Sequence, residues 1–163
     1  LVRAIGACNT VLFDPEGPRG FNTDYSGFVA AYRRVRGERA PGAVLMIGAG
    51  GVGRAVAFGL IALGAAEIRL ADRDAAKADG LADALRRAAP GLDLMAGAEW
   101  VFDAVYTPVD TPFLRDAGAA GLDVISGYEL FVGQGVDAWA IFTGLPLDEA
   151  RLRDDLAAGR DAP

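Results

Sequence analysis

The sequence predicts an α/β fold: a doubly wound, mostly parallel sheet with helices on both faces. Three observations predict it. Short apolar runs alternate with stretches of helical periodicity along the chain, the pattern of repeated βα units. One such run, Ala43–Ile47, leads directly into Gly48-Ala49-Gly50-Gly51-Val52-Gly53-Arg54 and then into an apolar helical pattern. The next run, Ile68-Arg69-Leu70-Ala71, ends on Asp72, 19 residues after Gly53. A strand, a glycine-rich turn, a helix and a second strand ending in an acid make a Rossmann-like unit. In such a unit Gly48 permits the tight turn, Gly50 lets a pyrophosphate approach the backbone, and Gly53 lets helix and strand pack closely. The helix start adds free N–H groups and a positive dipole. Gly48, Ala49, Gly50, Gly51, Val52 and Gly53 are therefore the candidate cofactor loop.

The elements are read in chain order. Residues 4–13 form a short strand or extended segment, and Asp14 to Gly20 read as a turn by composition. Asn22 or Thr23 caps a helix that runs to Arg36, with Phe28, Val29, Tyr32 and Val35 on its apolar side. After a polar connector come the strand Ala43–Ile47 and a helix Arg54–Leu63, stopped by Gly64. A strand Glu67–Ala71 follows, and Asp74 caps a helix Ala75–Ala89. Leu92–Met95 is a short strand. Val101–Tyr106 is another, apolar on both faces and so expected to be central and parallel. Thr111 and Pro112 start a helix to Ala119, Asp123–Ile125 is a last strand, and 127–140 is a helix. Pro146 sits in the first turn of a final helix whose exposed face carries Glu149, Arg153 and Asp154. Between Met95 and Val101 there is no room for a crossover, which needs about a dozen residues. Either Leu92–Met95 is not a neighbouring parallel strand, or a crossover is missing there.

Composition narrows the chemistry. The chain has 163 residues, of which 52% are hydrophobic, enough for one domain with a sizeable core. Its net charge is −6 without a basic cluster, which argues against nucleic acid and anionic membranes as partners. There is no histidine, so a histidine base and the usual zinc sites are excluded. The single cysteine, Cys8, reads as a small half-buried residue. No metal is expected, and the expected location is the cytoplasm. The chain starts on Leu1 and reads as a fragment or a processed product.

Four motifs add identity. They are Gly6-Ala7-Cys8-Asn9-Thr10, then Gly20-Phe21-Asn22-Thr23-Asp24-Tyr25-Ser26-Gly27-Phe28. Then come Asp103-Ala104-Val105-Tyr106-Thr107-Pro108 and Gly127-Tyr128-Glu129-Leu130-Phe131-Val132-Gly133-Gln134-Gly135. In this order, with the glycine loop, they resemble the shikimate/quinate dehydrogenase family from about Ile5 to Gly144. The resemblance implies NAD(P)-dependent hydride transfer at the ring alcohol of shikimate or quinate. It implies that Asn9 and Asp24 hold substrate hydroxyls, that Asp24 partners a catalytic lysine, and that Tyr106 and Gln134 line the substrate side. Val105, Gly127 and Leu130 fall on the cofactor side. From composition alone, Asn22-Thr23-Asp24 reads equally well as a capping segment, Tyr106 as a core strand residue and Gln134 as a surface residue.

The resemblance also sets expectations about what this chain lacks. An aspartate near its ordinary pKa is a poor base for an alcohol, and the family supplies a lysine from an N-terminal substrate domain. The only lysine here, Lys77, falls on the adenosine side. The chain is thus expected to lack that domain and to be inactive alone. The expected organisation is a substrate-cleft segment at 1–36, a cofactor domain at 37–144 and a C-terminal helix at 145–163, in a monomer or homodimer. Asp72-Arg73-Asp74 favours NAD, because an acid at the strand end accepts from ribose hydroxyls and repels a 2′-phosphate. Arg73 and Lys77 keep NADP open. Two other readings stand beside this one: a non-catalytic dinucleotide-binding module, and a dehydrogenase of another cyclic polyol acid.

Overall fold

The computed structural model describes residues 1–71, 81 and 99–160. Helix α1 is Val2–Ile5, and strands β1 (Thr10–Asp14) and β2 (Gly17–Phe21) pair antiparallel. Helix α2 is Thr23–Arg36, followed by β3 (Ala43–Ile47), α3 (Gly51–Ala62) and β4 (Glu67–Ala71). After them come β5 (Trp100–Asp103), α4 (Pro112–Ala119), β6 (Asp123–Ser126), α5 (Gly127–Thr143) and α6 (Glu149–Arg160). Strands β3 and β4 pair parallel from Ala43–Glu67 to Ile47–Ala71, and β5 and β6 pair parallel from Trp100–Asp123 to Asp103–Ser126. The α/β reading holds, with parallel pairing in both βα units and an antiparallel hairpin at the start.

Several boundaries differ from the sequence reading, each for a local reason. The first residues form a helical turn closed by Gly6 in the left-handed region (φ 72°). Asp14 to Gly20 is mostly strand: Pro18 stands opposite Phe13 on a two-strand edge, where its missing N–H costs nothing. The turn is only Pro15 and Glu16, held by Asp14 Oδ1 accepting from the Glu16 N–H at 3.1 Å. Helix α3 begins three residues before Arg54, so Gly51 to Gly53 are already helical. Strand β5 stops at Asp103, and Ala104 to Tyr106 leave the sheet as an exposed turn. Pro146 lies ahead of the last helix, whose start is capped by Asp148 Oδ1 accepting from the Arg151 N–H at 3.1 Å. Arg153 is not on an exposed face. It reaches Glu129 on α5 and Glu149, both at 2.8 Å, and so docks α6. Cys8 is exposed rather than half-buried. Apart from Leu81, the expected elements at 75–89 and 92–95 lie outside the described residues, as does the junction before residue 99.

Helix α2 is the central packing element. Its apolar stripe places Phe28 and Tyr32 fully inside the core, at about 1.5–3 kcal/mol each for burial. Phe28 meets Phe102 edge-on at 5.1 Å, and Tyr32 meets Trp100 at 5.1 Å. These contacts tie α2 to β5, while Val56, Leu60 and Met46 join the same cluster from α3 and β3. Arg36, buried at the end of α2, bonds Asp123 at 2.6 Å and Glu99 at 2.7 Å. Its guanidinium stays protonated although burial alone favours deprotonation, because those two carboxylates face it. The cationic end also complements the helix dipole. Thus α2 holds both parallel pairs in one core, and its opposite end is left to build the site.

Candidate functional site

The glycine turn follows the carboxyl end of β3, where open parallel sheets bind ligands. Its glycines have different reasons. Gly48 has φ +98°, which an L side chain adopts only under strain. A Cβ on Gly53 would stand 2.3 Å from the Gly48 carbonyl oxygen, so the helix closes directly onto the turn. At Gly50 and Gly51 a Cβ would meet nothing within 4 Å. Those two glycines leave space open in front of the helix. Gly50 is the N-cap of α3 and offers no side-chain cap, so the first N–H groups of the helix are left without one. Val52 is exposed beside them, and Ala49 is buried. A phosphate group fits this cradle: open volume, uncapped backbone donors and a positive dipole end.

The polar cluster stands at the start of α2. Asn22 caps the helix, its Oδ1 accepting from the Tyr25 N–H at 3.0 Å, while its Nδ2 donates to the Ala7 carbonyl at 3.1 Å. Asn9 Oδ1 accepts from the Thr23 N–H at 2.9 Å and from the Thr23 hydroxyl at 3.3 Å. Asn9 also stands close enough to Asp24 to favour its carboxylate, so the two are brought together although 15 residues separate them. Burial raises the Asp24 pKa above its ordinary value, and the neighbouring Asn9 partly offsets this.

Gln134 is set by a close helix crossing. A Cβ on Gly27 would lie 2.7 Å from the Gln134 backbone nitrogen, and one on Gly133 would lie 3.0 Å from Gly27 Cα. The turn of α2 that carries Asp24 and the turn of α5 that carries Gln134 therefore meet at one contact. Tyr106 comes from the turn after β5. Asp103 Oδ1 accepts from the Val105 N–H at 3.0 Å, and Asp103 Oδ2 accepts from the Thr111 hydroxyl at 2.8 Å. A Cβ on Gly127 would strike the Ala104 and Val105 carbonyl oxygens at 2.4 and 2.5 Å. So pinned, the turn exposes Val105 and stacks Tyr106 on Phe131 at 5.3 Å. Leu130 is buried in the core cluster. Asp72, Arg73 and Lys77 lie outside the described residues.

Three contributors escaped the sequence reading. Asp103 and Thr111 hold the Tyr106 turn, and the motif contained Asp103 without marking its role. Arg54 ends the glycine motif, and its Nε donates to the Ile5 carbonyl at 2.8 Å. Its helical position gave no hint of that partner, 49 residues earlier.

Comparisons with known proteins follow the same lines. A family model described as "NADP oxidoreductase coenzyme F420-dependent" matches residues 43–126, from β3 to β6. The shikimate dehydrogenase (NADP(+)) of Haloarcula marismortui is 38% identical, with 96% of this chain and 71% of that protein covered. The chain belongs to the shikimate/quinate dehydrogenase family. Solved relatives agree with that assignment. The quinate dehydrogenase from Corynebacterium glutamicum in complex with NAD superposes with a TM-score of 0.84 at 30% identity, over 96% of this chain and 70% of that one. A ligand-free 5-ketofructose reductase of a Gluconobacter strain gives 0.81 at 30% identity, over 91% and 67%. The resemblance carried by the four motifs is thereby borne out, and so is the Rossmann-like architecture. The chain spans 64% of the length of two other curated shikimate dehydrogenases that it matches at 35% and 36% identity. The Haloarcula alignment runs over 191 positions, more than the 163 residues here, so it opens gaps in this chain. Among the described residues, no helix is long and apolar enough to cross a membrane.

Proposed function

We propose that this chain is the cofactor-binding portion, with part of the substrate cleft, of an NAD(P)-dependent shikimate/quinate dehydrogenase. The observation that carries the reading is the cradle at Gly50 and Gly51, open and uncapped at the start of α3. Gly48, Ala49, Gly50, Gly51, Val52 and Gly53 would hold the pyrophosphate through the backbone. Val105, Gly127 and Leu130 would border the nicotinamide end, and Asp72, Arg73 and Lys77 the adenosine end, with NAD favoured over NADP. When bound, the nicotinamide supplies the hydride acceptor or donor. The protein's own groups orient the alcohol. Asp24 and Asn9 hold ring hydroxyls, and Tyr106 and Gln134 close the substrate side. A carboxyl group with a raised pKa suits hydroxyl binding and proton sharing with a basic partner. We place the division of labour at 1–36, 37–144 and 145–163, although Ile5 and Phe28 share one core with Val56 and Leu60. The short link between Met95 and Val101 is where we place the residues that the relatives have in excess.

Isothermal titration of the 163-residue chain with NAD and NADP tests this, followed by shikimate and quinate on the binary complex. Micromolar to millimolar binding of NAD, with either acid binding only afterwards, is the expected result. Binding of neither nucleotide would end the reading. The likeness to 5-ketofructose reductase favours a second reading, a different polyol substrate at the same cluster. Failure of both acids, together with binding of 5-ketofructose to the NAD complex, would select it.

A further inference from the structure

We propose that Arg54 is a positioning residue, fixing the segment that carries Asn9 to the helix that carries the glycine turn. The inference rests on the proposed function for its ligands, but its geometry is independent of them. Arg54 lies in the first turn of α3, where a cation opposes the helix dipole. Its side chain is not spent on solvent. It turns back to α1, donating from Nε to the Ile5 carbonyl at 2.8 Å. That carbonyl belongs to the last turn of α1, where helix geometry leaves oxygens without partners. The guanidinium approaches Gly6: its terminal nitrogen is 3.3 Å from where a Cβ would stand. Gly6 has φ +72°, so glycine serves both the helix end and the arginine's approach.

Downstream of this contact the chain has little freedom. The Ala7 carbonyl accepts from Asn22 Nδ2 at 3.1 Å, and the Asn9 N–H donates to the Phe21 carbonyl at 3.1 Å. Asn9 then accepts from the Thr23 N–H, beside Asp24. Residues 5–9 thus form a strut with two anchors. One is Arg54 on the helix of the glycine turn, and the other is the start of α2. A shift of the first turn of α3 on filling the cradle is passed through Ile5 to Asn9 and Asp24. Arginine suits this role better than lysine, since its planar fork bonds the Ile5 carbonyl through Nε while a second nitrogen reaches Gly6.

The test is amide exchange, read by NMR at Asn9, in the strut, and at Thr23, whose N–H donates to Asn9 from the α2 anchor. Arg54→Met keeps the stem and removes the donor. Without ligand, exchange at both amides is expected to rise about tenfold in the variant, while β5 and β6 are unchanged. Saturating NAD is expected to slow these amides in the wild type and not in Arg54→Met, with the NAD dissociation constant changed less than threefold. Unchanged exchange at Asn9 and Thr23 would overturn the proposal. So would an equal rise throughout β5 and β6, or lost NAD binding with exchange unaltered. If the wild type binds neither NAD nor NADP, the proposed function fails, and the unliganded comparison still decides the strut. Should Arg54→Met not fold, Arg54→Leu, which also removes the donor, carries the same comparison.

Discussion

The turn after β3 and the cluster at the start of α2 solve the same problem with opposite materials. The turn is built of backbone. Its glycines are there for what they lack, and no side chain caps the helix behind it. The cluster is built of side chains, with Asn9, Asn22 and Thr23 bonded across a gap of about fifteen residues and Asp24 held among them. A backbone cradle suits a ligand whose diphosphate is always the same. A side-chain cluster suits a ligand distinguished by the placement of its hydroxyls, because unpaired polar groups penalise the wrong analogue. The two regions should therefore fail differently when altered.

The largest effect is expected where backbone meets backbone. Gly53→Ala forces its Cβ into the Gly48 carbonyl, and the turn must shift. A loss of about 3 kcal/mol is expected in urea unfolding. A loss below about 0.5 kcal/mol would show that the turn is loosely built. The side-chain region should break more gently. Asn9→Ala removes the acceptor of the buried Thr23 N–H, and a loss of about 1–2 kcal/mol is expected. The same change should raise the Asp24 pKa further, visible in its carboxyl NMR shift, because the offsetting polar neighbour is gone. Thr111→Val probes a third arrangement, a cap that also anchors a turn. It removes the acceptor of the Leu114 N–H and the donor to Asp103, for about 1 kcal/mol. Tyr106 should then lose its stacking on Phe131, seen as altered fluorescence.

The smallest effect is the pH dependence of Asp24. Its folded pKa lies above its unfolded one, so the folded chain holds the proton more tightly. Below the ordinary carboxylate range both states are protonated and Asp24 contributes nothing. As pH rises through the raised folded value, the folded state takes on the cost of a half-buried carboxylate. Asp24→Asn should match the wild type near pH 3 and gain on it as pH rises to 7, in paired urea titrations. A wild type that gains on the variant over that interval would contradict the assigned burial.

What the sequence made legible follows the same division. Strands β3 and β4 and the start of α2 were read correctly because short apolar runs and an Asn-Thr-Asp cap are local signals. The glycine turn was legible because backbone sterics fix the glycine spacing. The hairpin was not, since Pro18 and Gly20 look like turn residues and only pairing with β1 makes them strand. Arg153 looked like a surface charge, and its docking role depends on Glu129 on another helix. The contacts of Gly27 with Gln134 and of Arg54 with Ile5 join residues too far apart for any periodicity to show. For the site, then, the residue types were readable, while their mutual geometry came from packing.

Gly50 gives the most direct test of the central claim, that the turn is shaped for a dinucleotide and not for the fold. Its φ of −71° and ψ of −169° are open to any residue, and a Cβ would meet nothing within 4 Å. Gly50→Ala should therefore unfold within about 0.5 kcal/mol of the wild type. Its NAD dissociation constant, by isothermal titration, should rise at least about tenfold, since the methyl group occupies the cradle. Equal NAD binding by Gly50→Ala and wild type would contradict the account.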